Sequence, residues 1–144
     1  MELVVVIAII AILAILMAPN IGAWLPRYRL RSATRDIVST MRTAQMKAVS
    51  RRLPYQVDFN GPPANSYILQ YNSGGWISDG PVRTAPSGII VNIGGLPNGK
   101  ATFNTDSTCL NGGNITLSYQ KGGVTQAQRR IVLNVATGRT KIDE

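Results

Sequence analysis

Hydrophobic and polar positions follow one period at the start of this chain, another in its first third and a third beyond it. From Leu3 to Ala18 every residue is apolar, with no polar face. At about 1.5 Å per residue the run makes roughly 24 Å of helix, against a bilayer hydrocarbon core of about 30 Å. Continuation past Pro19 through Ile21 to Leu25 would span that core. A helix of a globular domain shows one apolar stripe rather than an apolar circumference. Burial in a membrane or against other chains is therefore required.

Pro19, Gly22 and Pro26 then predict a weak or unwound joint. Residues 27–52 run without Gly or Pro, and Leu30, Ile37, Met41, Ala44 and Ala48 fall on one stripe at spacings of 7, 4, 3 and 4. That stripe is the face for a sheet, and Leu53-Pro54 ends the helix. Beyond Pro54 the pattern alternates. Tyr55, Val57 and Phe59 face one way, and Tyr67, Leu69 and Tyr71 follow a turn-rich Gly61-Pro62-Pro63-Ala64-Asn65. Further strands are predicted over Gly75 to Ser78, Gly88 to Ile93, Ala101 to Asn104, Asn114 to Gln120, Arg130 to Val135 and Arg139 to Ile142. The expected architecture is α+β: a long N-terminal apolar helix, interrupted near Pro19 to Pro26, packed on an antiparallel β-sheet domain. Residues 1–26 would form a membrane or filament-core segment. Residues 27–144, helix 27–52 plus the sheet, would form the globular domain.

Composition removes most catalytic chemistry. The 144 residues include no His and one Cys, which excludes Ser-His, Cys-His and His-metal sites and an intramolecular disulfide. The only glutamates are Glu2 and Glu144, and the five aspartates are scattered, so no carboxylate pair signals acid–base chemistry. The expectation is a non-enzymatic protein with no cofactor and no metal. The net charge of +8 is localised: residues 1–26 carry −1, residues 27–52 carry +7 and residues 53–144 carry +2. On the helix, Arg27, Arg31, Arg35, Arg42 and Arg52 gather on one face while Arg29, Lys47 and Arg51 sit on another. These faces read as a solvated flank or as a surface for anionic lipid headgroups, acidic neighbours or nucleic acid. Trp24 suits an interfacial anchor or filament packing. Trp76 suits a loop or an edge strand, and Cys109 reads as a partly buried thiol without chemistry.

Three readings compete for the apolar segment. A cleaved signal peptide calls for a basic stretch ahead of the apolar run, where Glu2 stands instead. A simple membrane anchor leaves Glu2 without a role. A helix that is stored in the membrane and later packs against copies of itself gives the carboxylate a partner, the N-terminal amine of a neighbouring subunit. By the positive-inside tendency the Arg-rich stretch would stay cytoplasmic, unless basic residues precede Met1.

The residues MELVVVIAIIAILAILMAPN closely resemble the N-terminus of type IV pilins and type II secretion pseudopilins. Glu2 matches that family's glutamate and Pro19 its helix-interrupting proline. Arg35 to Phe59 and the ending RRIVLNVATGRTKI, residues 129–142, are similar to the GspH/FimT branch. The resemblance implies a subunit stored in the bacterial inner membrane with its domain facing the periplasm, then added to a pilus or pseudopilus filament at the cell surface. It implies subunit contacts through Glu2, Leu3, Val6, Ile10, Leu13 and Pro19. It also implies other pilins or pseudopilins, an assembly ATPase and platform, and a prepilin peptidase as partners. In the FimT part of the branch a basic Gly-Arg motif near the C-terminus is associated with DNA capture. The matching residues are Gly138, Arg139 and Lys141, with Arg129 and Arg130 one hairpin away; a solvated hairpin with Gly138 in its turn is the plainer alternative.

Overall fold

The computed structural model describes residues 2–16, 21–61 and 63–143. Helix α1 spans Glu2–Leu16 and α2 spans Ile21–Arg51. The strands are β1 (Tyr55–Asp58), β2 (Ser66–Asn72), β3 (Trp76–Ser78), β4 (Arg83–Thr84), β5 (Ile89–Asn92), β6 (Lys100–Phe103), β7 (Gly113–Lys121), β8 (Val124–Leu133) and β9 (Thr140–Asp143). All pair antiparallel, and the α+β expectation holds. The strands divide into two sheets: β3-β2-β1-β6, with β4 also paired to β2, and β5-β7-β8-β9.

Helix α2 lies across both sheets, touching β1, β2 and β6 of the first and β5, β7, β8 and β9 of the second. The predicted stripe does this work: Leu30, Ile37, Met41, Ala44 and Ala48 are all buried, against Tyr55, Val57, Phe103, Ile115, Leu117, Ile131 and Leu133. Alanines at 44 and 48 let the strands approach the helix closely. Thr34 and Thr40 share the buried side by donating their hydroxyls to the carbonyls of Leu30 and Asp36, one turn back. The helix ends as Arg52 enters the left-handed region, at φ 54°.

Three local expectations are corrected. Pro26 does not unwind the chain but lies inside α2, where its ring removes one main-chain hydrogen bond that the remaining turns outweigh. The Pro19 part of the predicted joint lies outside the described residues. Strand β8 begins at Val124 rather than near Arg130, because Gly122 and Gly123, both at positive φ, turn the chain so that Lys121 already pairs with Val124. The polar stretch Thr125-Gln126 shows no apolar alternation; its backbone joins the ladder regardless of its side chains. Finally, Arg83–Thr84 pairs with Tyr67 and Ser66, a short strand with no sequence signal of its own.

Candidate functional site

The residues of the apolar segment that the described region covers do form a helix. Every residue from Leu3 to Leu13 is exposed in the single chain, including Leu3, Val6, Ile10 and Leu13. Glu2 opens α1. Pro19 lies outside the described residues. Among the described residues no helix is long and apolar enough to cross a membrane; the 15 residues of α1 amount to roughly 22 Å at 1.5 Å each.

The basic residues of α2 sort into two populations. Those of one face reach residues of the β domain, Asp79 and Ser87 in loops and Tyr55 on β1. The Lys47 ammonium lies 2.9 Å from Asp79 Oδ2, and Arg51 lies 3.8 Å from the same oxygen. Arg51 also donates to the Tyr55 hydroxyl at 3.0 Å, and Arg29 reaches Ser87 Oγ at 3.4 Å. The Lys47 hydrogen bond is the main cause that holds the Asp79 carboxyl below the ordinary range. A second clasp centres on Asp36, which accepts from the Tyr67 hydroxyl and pairs with Arg83 at 3.0 Å. Burial first, then this carboxylate, pushes the Tyr67 phenol far up. On the other face Arg27, Arg31, Arg35, Arg42 and Arg52 are exposed, with no carboxylate within 4 Å among the described residues.

The five residues singled out near the C-terminus do not converge as a set on one surface. The β8–β9 register sets Arg130 opposite Asp143 and Val132 opposite Lys141. Arg130 and Lys141 therefore share the outer face, with a carboxylate between the basic positions. Ile131 and Leu133 are buried beneath the sheet, and strand alternation puts Arg129 on that helix-facing side, although Arg129 and Arg130 both line a hollow with Thr116, Gln128 and Asp143. Arg129 has an interaction of its own. Arg139 lies beyond the strand, its carbonyl accepting from Asn134 N–H at 3.0 Å. Gly138 is buried and packed: at φ +60° its missing Cβ would stand 2.3 Å from the Ser107 carbonyl and 2.5 Å from Gln45 Nε2. The Gln45 amide donates to the carbonyls of Ser107 and Thr137 at 3.0 and 3.1 Å. Gly138 thus belongs to a tight junction between α2 and two loops, and the glycine is explained by that approach.

A basic hollow was not anticipated as a unit. It lies between the start of α2 and β8, with a volume of about 380 Å³, walled by Trp24, Arg27, Tyr28 and Arg31 on the helix and by Gln128 and Arg129 on the strand. The Trp24 and Tyr28 rings stack with centroids 5.2 Å apart. Their spacing of four residues on a helix was the available signal, but only the fold brings β8 alongside. Trp76 sits on the edge strand β3, partly exposed. Cys109 is fully buried, with Sγ 3.1 Å from the carbonyls of Thr102 and Asn111, and burial raises its thiol.

No family model matches the sequence, and no curated protein is similar to it in sequence. Solved structures do match in fold. The minor pseudopilin EpsH from the type 2 secretion system of Vibrio cholerae aligns with TM-score 0.64 at 10% identity, over 79% of this chain and 95% of that one. The type IV minor pilin FimU of Pseudomonas aeruginosa aligns with TM-score 0.60 at 16% identity, over 82% of this chain and 90% of that one. At these identities it is the architecture that is shared: the chain has the pilin-like α+β fold of a minor pseudopilin and a minor pilin.

Proposed function

We propose that the chain is a non-enzymatic subunit of a type IV pilus or a type II secretion pseudopilus. It is held in the inner membrane with its domain toward the periplasm, then added to a helical filament through its N-terminal helix. The observation that carries this reading is the conjunction of a pilin-like fold with α1, an apolar helix exposed on every side and opened by Glu2. A helix apolar all round needs either lipid or protein against it, and a filament core replaces the first with the second. One segment thereby serves both states.

In the filament Leu3, Val6, Ile10 and Leu13 make subunit contacts, and Pro19 interrupts the helix. Glu2 pairs with the N-terminal amine of a neighbour and sets the axial register, because a buried charge left without its partner costs roughly 3 to 5 kcal/mol. The partners on this reading are copies of the chain, other pilins or pseudopilins, an assembly platform with its ATPase, and a prepilin peptidase. Glu2→Ala tests it: the β domain should fold as before, by circular dichroism and thermal melting, while recovery in sheared filaments drops at least several-fold. Normal incorporation of the variant would refute the role.

DNA capture through the C-terminal hairpin is the second reading. Arg130 and Lys141, on one face of β8–β9, support it; Asp143 beside them opposes it. Such binding would be driven by phosphate contacts and fall steeply with salt. Absence of a mobility shift with the full chain at low ionic strength removes it.

A further inference from the structure

We propose that the hollow between α2 and β8 binds the phosphodiester headgroup of an anionic phospholipid at the membrane surface. The inference rests on the membrane-stored reading above for the source of its ligand.

Trp24, Arg27, Tyr28 and Arg31 lie at i, i+3, i+4 and i+7, one face of the first turns of α2. Leu30, between them in sequence, is buried and pins this part of the helix to the core. Arg27 and Arg31 are a single turn apart, about 6 Å along the axis. Neither has a carboxylate within 4 Å among the described residues. Arg129 already has an interaction of its own, so the helix arginines supply the charge and the strand supplies a wall with Gln128. A guanidinium fork matches the paired oxygens of a phosphate group, and two forks a turn apart suit one phosphodiester. The volume of about 380 Å³ is that of a small-ligand site, which runs from about 300 to 1,000 Å³.

The aromatic pair identifies the source. Trp24 and Tyr28 are stacked yet remain 63% and 56% exposed, and amphipathic rings of this kind sit at headgroup level. They follow, in the chain, the uncharged apolar run from Leu3 to Ala18. A nucleic-acid strand fits less well. The adjoining hollow along β8 is lined by Arg129 and Arg130 but also by Asp143, a carboxylate set within the basic track a polyanion would follow.

The test uses the full chain in non-ionic detergent micelles, with Trp76→Phe leaving Trp24 as the sole tryptophan. It is titrated with dihexanoylphosphatidylglycerol, dihexanoylphosphatidylcholine, inorganic phosphate and a single-stranded oligodeoxynucleotide. The expected result is a saturable change in Trp24 emission with the glycerol lipid and a much weaker one with the choline lipid. Arg27→Gln with Arg31→Gln should weaken the former by roughly tenfold or more, as for two cations lost beside an anionic lipid. Arg42→Gln with Arg52→Gln, equal in charge and away from the hollow, should leave it unchanged. If the double glutamine variant fails to fold, Arg27→Lys with Arg31→Lys keeps the charge and should still weaken binding through loss of the forks. Equal responses to the two lipids, or equal losses in the control pair, overturn the proposal. Tighter binding of phosphate or of the oligonucleotide overturns it in favour of that ligand. None of these readouts involves filaments, so a chain that binds the lipid here but never enters a filament refutes the assembly reading alone.

Discussion

Gly138 illustrates how a residue can look functional for a structural reason. Its place ahead of Arg139 resembles a family motif associated with DNA capture, yet a side chain there would meet the Ser107 carbonyl and the Gln45 amide at a left-handed φ. Gly138→Ala should therefore destabilise the fold by about 1 to 3 kcal/mol, the scale of overpacking combined with backbone strain, visible as a lower denaturation midpoint. An unchanged midpoint would show that the junction is looser than drawn. Cys109 makes the opposite case, a reactive residue type placed where it cannot react. Buried, and raised by that burial, its thiol should be labelled by a disulfide reagent many times more slowly in the native chain than in denaturant. Equal rates in the two states would contradict its burial. The Gly138 answer was not readable locally, because Ser107 and Gln45 are brought to it by the fold; the Cys109 reading, a partly buried thiol without chemistry, fell short only in how deeply the thiol is buried.

Helix α2 carries the most predictable part of the molecule. Its stripe from Leu30 to Ala48 was legible because a period of 3.6 needs only neighbouring residues, and each member of the stripe is buried. Met41→Ala, at a position with no exposure, should cost about 2 to 5 kcal/mol by the usual penalty for large-to-small core changes, measured by denaturant unfolding. A loss below about 1 kcal/mol would mean that the helix does not pack as described. The charged flanks were legible only as a count. Which of the helix's charges are neutralised depends on Asp79, which takes Lys47, and Arg83, which takes Asp36. The Asp79 clasp also sets a pH dependence. A carboxyl held low in the folded chain contributes stability above its unfolded pKa and loses it as pH falls through the folded value. The clasp should therefore be intact at neutral pH and weaken below about pH 4. Because Lys47 and Arg51 are partly in solvent, Asp79→Asn should cost only about 1 kcal/mol or less. It should flatten the acid side of a melting-temperature profile, and a profile identical to the parent's would remove the clasp from the account of stability.

For the whole molecule, the net charge of +8 has become a distribution. Part of the excess on α2 is spent on Asp79 in the loop after β3, and the rest faces outward, with Arg27 and Arg31 beside a hollow at the start of the helix. The proposed assembly role, drawn from the pilin-like fold and the exposed α1, is checked by cell fractionation. With the assembly ATPase present the subunit should appear in sheared filaments, and with the ATPase deleted it should remain in the membrane fraction. A plain membrane anchor would stay in the membrane fraction under both conditions.

The apolar N-terminal helix follows from an unbroken apolar run, while the α+β class, the buried stripe of α2 and most strands follow from periodicity, because burial on one face leaves a repeating mark on nearby residues. The division into two sheets, the length of β8, the packing of Gly138 and the hollow beside Trp24 follow from tertiary structure. Each depends on distances between segments far apart in the chain, and hydrogen-bond ladders, ion pairs and close backbone approaches leave no periodic trace in the residues that make them.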